Sequence, residues 1–193
     1  HTTIGPMTVV SGCLARSVRD AARWYDVCAG FDARDPYSLP AEADWEAGLG
    51  STDLRGLRAV ISPDLGLAII SDAVRARVQE AGEALAASIG LDLVDVEVSL
   101  PSITWEWAVA NQVGLVREVG DLWPDCEEQM TKSMAFGVRM GIGRFDIEVA
   151  GRVEAARTEA NRRIADLFDS VDVVICASNP DVAFPAEVES NTR

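Results

Sequence analysis

The sequence predicts an α/β fold with a partial mixed or mostly parallel sheet that is flanked by helices. Short apolar runs of strand length alternate along the chain with longer segments in which apolar residues recur at helical spacing. Glycine or proline bounds most of these runs. Strands that alternate with helices in this way favour at least partly parallel pairing.

The first elements are predicted from their boundaries. Ser17-Val18-Arg19-Asp20 is a capping-box pattern, and it predicts a helix of about three turns that Gly30 ends. Residues 32–53 contain scattered prolines, glycines and acids, which predict a surface loop. The apolar run Leu57–Ile61 then predicts a buried strand.

The second half of the chain repeats the pattern. A helix is predicted between Ser71, which can cap it, and Gly90, which can end it. Glycines make residues 123–143 ambiguous, and they favour a bend there. The other predicted elements are a strand over 93–98, helices over 102–119 and 144–168, and a buried strand over 171–176.

Length and chain ends predict the domain organisation. The chain has 193 residues, enough for one hydrophobic core. We expect residues 1–193 to form a single α/β segment of a larger domain, with the 32–53 surface loop inside it. His1 and Arg193 are expected to be cuts within a longer protein.

The charge of the chain excludes two classes of partner. The formal net charge is −14, whereas nucleic-acid binding needs clustered Lys and Arg to neutralise phosphates. The same charge argues against an anionic membrane surface. No apolar run approaches the length of a transmembrane helix. We expect neither nucleic acid nor membrane as a partner.

Residue types that hold metals or cofactors are sparse. The four cysteines form no CxxC pair, and they are predicted to be buried, reduced thiols, which fits a cytoplasmic protein. His1 is the only histidine, and the acids of residues 121–128 are predicted to lie in a solvated turn. No phosphate-binding or dinucleotide motif occurs. We expect no metal and no cofactor.

Four blocks along the chain point to a family. They are Gly12–Asp20, Asp32–Pro36, Leu54–Gly66 and Arg157–Pro185. In this order they resemble the amidase signature family's G-P-L-A-R-T-V-R-D segment, its D-P-R-D-P loop, its L-R-G-L-R-I strand with the following loop, and its late helix, F-D-V-L-L strand and A-F-P loop. The chain therefore resembles the part of that family's fold that follows the catalytic core.

The resemblance implies cleavage of carboxylic amides by a Ser-Ser-Lys triad. The family's glycine- and serine-rich loop, which holds the nucleophile and the bridging serine, does not occur in this sequence. Lys132 is the only lysine, and it cannot replace the family's lysine, which precedes both serines. We therefore predict no catalytic residue here and expect the missing amidase core to be a partner of this chain.

Three residues are predicted to bind the small-molecule amide substrate of the parent enzyme: Ser178, Asn179 and Trp105. The first two follow the last strand, where α/β proteins bind ligands, and the resemblance places this loop beside the substrate pocket. The Asn179 amide suits a carboxamide, with a plain turn before Pro180 as the alternative. For Trp105 and Trp107 the alternative is packing in the core or between subunits, in the latter case in a homodimer.

Two functions follow from this interpretation. The chain is part of an amidase-type hydrolase, of which an amidotransferase subunit that acts on charged tRNA is a variant. Alternatively, it is a complete, non-catalytic binding or scaffold module derived from the amidase fold.

Overall fold

The computed structural model describes residues 12–35, 38–41 and 44–187. The described residues form five α-helices and three strands, which are α1 (Val18–Cys28), β1 (Arg58–Ile61), α2 (Asp72–Ile89), β2 (Asp92–Leu93), α3 (Thr104–Val119), α4 (Lys132–Gly141), α5 (Ile147–Phe168) and β3 (Val173–Ile175). Two 3₁₀ turns, Gly120–Leu122 and Glu127–Gln129, lie between α3 and α4.

The strands form one parallel sheet in the order β2-β1-β3. Ala59 of the central strand lies in register with Leu93 on one side and Val173 on the other. The predicted α/β class with a mostly parallel sheet is therefore confirmed. Because the strands are parallel, their carboxyl ends lie at one edge of the sheet.

The chain divides into two compact units, which we describe separately. The first unit takes the residues up to Asp53 together with Thr104–Val153, and it contains α1, α3 and α4. The second takes Leu54–Ile103 together with the residues from Glu154 onward, and it contains the sheet and α2. The boundary falls within α5. A single segment over 1–193 and a surface loop over 32–53 stay predictions.

In the second unit, small side chains let α2 approach the sheet. Ala86 of α2 is buried in one cluster with Ala59 of β1 and with Leu91. A Cβ on Gly82 would lie 2.9 Å from the Ile61 Cδ1 atom, so glycine fits there with little room to spare. The apolar side chains that pack between this helix and the sheet are removed from water, and they form the core of the unit.

The predicted ends of α2 are confirmed. The Ser71 hydroxyl oxygen accepts a hydrogen bond from the Val74 N–H, which satisfies one free donor of the first turn. Gly90 ends the helix with a left-handed backbone, at a φ of 75°, which costs glycine less than other residues.

In the first unit, α1 begins as its capping pattern predicts. The Ser17 hydroxyl accepts a hydrogen bond from the Asp20 N–H at 3.1 Å. At the other end, the Asp26 carboxylate accepts from the backbone N–H groups of Trp45 and Glu46, at 2.6 and 3.0 Å. One side chain therefore ties the helix to the turn that follows residue 44.

Glycines in α4 serve helix packing, which the sequence did not indicate. Thr131 caps this helix, and Gly137 and Gly141 lie against Gln112 of α3. A Cβ on either glycine would approach the Gln112 side chain to within 2.9 or 2.7 Å. These glycines allow two helices to lie close together, so the predicted bend is replaced by a helix over Lys132–Gly141.

The two later predicted strands are shorter than expected. In the described residues only Leu93 of the first is paired, together with Asp92 just before the predicted strand, although the Val94 N–H still donates to the Ala59 carbonyl. In the second, Val173–Ile175 are paired and only partly buried, whereas the fully buried residue is Val171, which precedes the strand. Alternation in sequence indicates an extended segment, but pairing requires a neighbouring strand.

The prediction of buried thiols is wrong for two cysteines. Cys28, the last residue of α1, and Cys176, which follows β3, are both exposed. Cys13 and Cys126 are partly buried. Among the described helices, none combines the length and apolar character that crossing a membrane requires.

Candidate functional site

Two loops leave the sheet at its carboxyl edge, one after β1 and one after β3. The Ser62 N–H donates to the Ile175 carbonyl at 2.9 Å, which continues the pairing of the two strands by one step. The Ala177 N–H then donates to the Pro63 carbonyl at 3.1 Å. The two loops therefore start side by side, because their strands are neighbours in the sheet.

The loop after β3 is held by its backbone at two points. Ala177 forms the first anchor, and the second is the Pro180 carbonyl, which accepts from the Ser71 N–H at 2.9 Å. Ser178 and Asn179 lie between the anchors, and both are exposed. The structure thus brings these two predicted site residues together on a short, backbone-anchored segment.

The loop after β1 contains a tight turn that the sequence motifs did not mark as part of a site. The Asp64 carboxylate accepts from the Gly66 N–H at 3.0 Å, and the Leu65 N–H donates to the Ser62 carbonyl at 3.2 Å. Leu65 and Gly66 both have positive φ angles, 55° and 68°. A leucine in this region is strained, and such strain persists only where neighbours enforce the backbone. The Pro63-Asp64-Leu65-Gly66 order is itself a turn signal.

Asp64 also connects this turn to α2. Its carboxylate lies 2.7 Å from an Nη atom of Arg75, one turn into the helix. The Gly66 N–H, and after it the Arg75 guanidinium, lower the pKa of Asp64 from its usual value. The carboxylate is therefore charged at neutral pH and joins the turn to the helix that begins at Ser71.

Trp105 lies on α3 in the first unit, whereas Ser178 and Asn179 belong to the second unit. Its indole is 44% exposed. The Arg152 guanidinium carbon lies 4.1 Å from the ring centroid, and the same side chain lies 3.5 Å from Glu106. One face of the ring therefore has a cationic neighbour. Whether Trp105 lines a pocket stays a prediction.

A cavity of about 380 Å³ lies elsewhere in the second unit, between the segment after β2 and the end of α5. Val96, Leu100 and Ser170 contribute to its walls, together with Arg163. The Arg163 Nε donates to Glu159 at 2.8 Å, so its charge is already paired. None of the three predicted substrate-binding residues lines this cavity.

The described residues provide no metal site, since no group of three or more His, Cys, Asp or Glu side chains lies close enough to hold an ion. His1 lies outside them. Lys132 is the first residue of α4 and is exposed. It belongs to the first unit, whereas Ser178 and Asn179 belong to the second.

The second unit thus contains an open, parallel α/β sheet with loops gathered at the carboxyl edge of the strands, which is the edge where such sheets bind ligands. The sequence model of the Amidase family matches residues 3–192. This chain therefore belongs to the amidase family.

Curated relatives and solved structures agree with that assignment. The chain is 28% identical over 200 residues to a Glutamyl-tRNA(Gln) amidotransferase subunit of Chloroflexus aurantiacus, and 37% identical over 201 residues to the corresponding subunit of Staphylococcus saprophyticus. Each alignment covers 90% of this chain and 40% of the relative. The chain thus spans about 40% of the length of these relatives.

The fold is shared with two solved amidase-type structures. A bacterial aryl acylamidase of the amidase signature family matches with a TM-score of 0.73 and 19% identity, over 90% of this chain and 39% of that one. The corresponding Glutamyl-tRNA(Gln) amidotransferase subunit of Thermotoga maritima matches with a TM-score of 0.58 and 18% identity, over 91% and 38%. These likenesses concern the fold.

Proposed function

We propose that this chain is the non-nucleophilic part of an amidase-type hydrolase, whose Ser-Ser-Lys residues lie outside this sequence. Family membership and the absence of that triad from the sequence support the proposal. The observation on which it depends most is the exposed pair Ser178–Asn179, anchored by backbone at the carboxyl edge of a parallel sheet. Ligands of open α/β sheets bind at this edge.

In this proposal the chain forms one wall of the substrate pocket. The reaction is acyl transfer: the nucleophilic serine passes its proton through a bridging serine to a neutral lysine and attacks the amide carbonyl, and backbone N–H groups stabilise the oxyanion. The C–N bond then breaks, the amine leaves with that proton, and water releases the acid from the acylated serine. Asn179 can donate to the carbonyl oxygen of a carboxamide and accept from its N–H. Ser178 adds a hydroxyl next to it. Both side chains are exposed, so a substrate can reach them.

The first experiment separates the chain from the protein that contains it, here called the intact protein. We expect the intact protein to hydrolyse simple aliphatic or aromatic amides, and the 193-residue chain to be inert. The reason is that the chain has no triad and no substitute for one. Turnover by the isolated chain above buffer, abolished by a substitution within it, would contradict this proposal.

The second experiment tests the loop. In the intact protein, Asn179→Ala should change KM or the preference among several amides by more than about twofold, or roughly 0.5 kcal/mol, while the fold is kept. Asn161→Ala is a matched control, because Asn161 is exposed on α5. Kinetic constants that stay within that range for both variants would assign Asn179 to the turn alone.

Trp105 is the third proposed contact. Trp105→Phe keeps an aromatic side chain but makes it smaller. If Trp105 lines the pocket, we expect a change in the preference between aryl and alkyl amides. The matched control is Trp45→Phe, since Trp45 is similarly exposed at 46% and was not predicted to bind substrate. A change in sedimentation without a change in kinetics would instead assign Trp105 to subunit packing, in a homodimer.

An amidotransferase subunit is the second candidate, favoured by the 28–37% identity to such subunits. This candidate function predicts that amide nitrogen is transferred to charged tRNA only when partner subunits are added, because those subunits would make the contacts with the nucleic acid. A scaffold role predicts neither activity in the intact protein.

We also propose that the protein lies in a reducing cytoplasm, where the two exposed thiols would stay free. Labelling of the thiols in freshly lysed cells tests this.

A further inference from the structure

Ser178 and Asn179 lie on a segment that contacts within the second unit join to two other elements. The loop after β3 is joined to the turn after β1 by the bond from Ala177 to Pro63, and to the start of α2 by the bond from Ser71 to Pro180. Both of these anchors are backbone hydrogen bonds. The main chain between Pro63 and Ser71 also joins the turn to α2, and a side-chain contact between the turn and the helix fixes the distance between the two anchors further.

One ion pair makes that connection. Asp64 lies on the turn and Arg75 on α2, and their side chains approach to 2.7 Å. Arg75 lies one helical turn beyond Ser71, whose backbone N–H holds Pro180 and whose hydroxyl caps the helix. The pair therefore joins the two elements that supply the two anchors of the loop.

The turn is stiff, so a movement at Asp64 has to move the whole turn. A Cβ on Gly66 would lie 2.2 Å from the Val98 carbonyl oxygen, and the Leu100 N–H donates to the Leu65 carbonyl at 3.1 Å. The Asp64 carbonyl also accepts from the Ala68 N–H at 2.9 Å. A rigid turn transmits its position to Pro63, and hence to Ala177.

We propose that Asp64 and Arg75 are positioning residues, which set the distance between the two anchors of the Ser178–Asn179 loop and thereby align that loop with the substrate. The kinetic part of this proposal rests on the proposed amidase function. The pair acts through the loop and does not touch the substrate. A loop that is already held in position binds substrate more tightly, because it loses less conformational entropy on binding.

The first test measures the loop directly, without activity. In the intact protein, Asp64→Asn and Arg75→Gln should each increase hydrogen exchange at the Ala177 and Ser71 amides by about threefold or more. Asp64→Asn keeps an oxygen for the Gly66 N–H and removes the charge. Arg77→Gln is the matched control, because Arg77 forms an exposed pair with Glu80 on the same helix. Exchange at both amides equal to that of the control would overturn the proposal.

The second test uses kinetics. Asp64→Asn and Arg75→Gln should raise KM for simple amides by about threefold, with kcat changed by less than about twofold, and Arg75→Lys should restore KM in part. In an Asn179→Ala background the same substitutions should change KM little, since they act through that loop. Additive effects with Asn179→Ala would overturn the proposal.

The exchange measurement and the kinetic measurement test the proposal independently of each other. If the intact protein hydrolyses no amide, the proposed function is wrong, and the exchange measurement still decides whether the pair positions the loop. If Asp64→Asn does not fold, Arg75→Gln still applies, because it leaves the bond between Asp64 and Gly66 in place.

Discussion

The two edges of the small sheet are held together by different means. At the amino edge a side-chain pair joins β1 to the segment before β3. The Asp172 carboxylate accepts from the Arg58 N–H at 2.8 Å and from its guanidinium at 2.8 and 3.1 Å, and the Asp172 N–H donates back to the Arg58 carbonyl. Arg58 also donates to the Asp169 carbonyl.

At the carboxyl edge the backbone makes most of the connections, and the Asp64–Arg75 ion pair adds one. Ser62, Ala177 and Ser71 donate main-chain hydrogen bonds that join the loops, and the side chains of Ser178 and Asn179 stay exposed. The contrast is therefore between a side-chain connection at one end of the strands and a mainly backbone connection at the other. The Asp172 side chain at the amino edge and the Asp64 side chain at the carboxyl edge are both engaged by the fold, whereas Ser178 and Asn179 at the carboxyl edge are exposed.

The largest expected effect breaks the turn of the carboxyl edge. Gly66→Ala would place a Cβ 2.2 Å from a backbone oxygen, Val98 O, which cannot move aside as a side chain can. We expect the free energy of unfolding to fall by about 3 kcal/mol or more, measured by urea unfolding of the intact protein.

The matched control for this substitution is Gly56→Ala. Gly56 has a similar positive φ of 79°, but the nearest atom to its Cβ would be 4.0 Å away. Backbone strain alone should cost about 1 kcal/mol there. Equal losses at Gly56 and Gly66 would show that contact with Val98 is not the cause.

The second prediction compares one residue type at the two edges. Val171 is fully buried beside the amino edge, whereas Val182 in the loop after β3 is 66% exposed. Val171→Ala should lower the free energy of unfolding by about 2 kcal/mol, because it leaves a cavity, and Val182→Ala by less than about 0.5 kcal/mol. Similar losses in thermal unfolding would contradict the burial described for the two edges.

The third prediction concerns pH at the amino edge. Hydrogen bonds from the Arg58 side chain, and then from its backbone N–H, lower the pKa of Asp172 to about 2. The ordinary value is about 3.9, so folding favours the charged form, and this stabilisation is present above about pH 4 and lost as the pH falls through about 2.

Asp172→Asn should therefore destabilise the protein at neutral pH, and the difference from wild type should shrink on acidification through that window. Urea midpoints on both sides of it provide the measurement. Asp95→Asn, at an exposed position after β2, should change the midpoint little at either pH. If the loss of stability caused by Asp172→Asn does not depend on pH, the effect comes from the changed shape of the side chain and not from its charge.

The smallest expected effect on stability is at the candidate site. Asn179→Ala should change the free energy of unfolding by less than about 0.5 kcal/mol, because Asn179 is exposed and the anchors of its loop are backbone atoms. Thermal unfolding checks this result. A loss as large as that of Val171→Ala would mean that Asn179 holds the loop itself.

The fold class, the family and the main elements could be predicted from the sequence. Helix ends were readable because capping is local: Ser17, Ser71 and Gly90 act within a few residues of the chain. Ser178 and Asn179 could be singled out for the same kind of reason, since a loop that follows a predicted strand has a known place in an α/β sheet.

Features that depend on a distant partner emerged only in the folded chain. Strand pairing stopped at Leu93 and the glycines of α4 proved to face α3, because each outcome is set by a neighbour that is remote in sequence. Cys28 and Cys176 are exposed, although their neighbours in sequence predicted burial. The connection of the turn at Asp64 to the loop around Asn179, through the bond from Ala177 to Pro63, is of the same kind. Periodicity and capping follow from the residues nearby, whereas packing and ion pairs depend on which elements folding brings together.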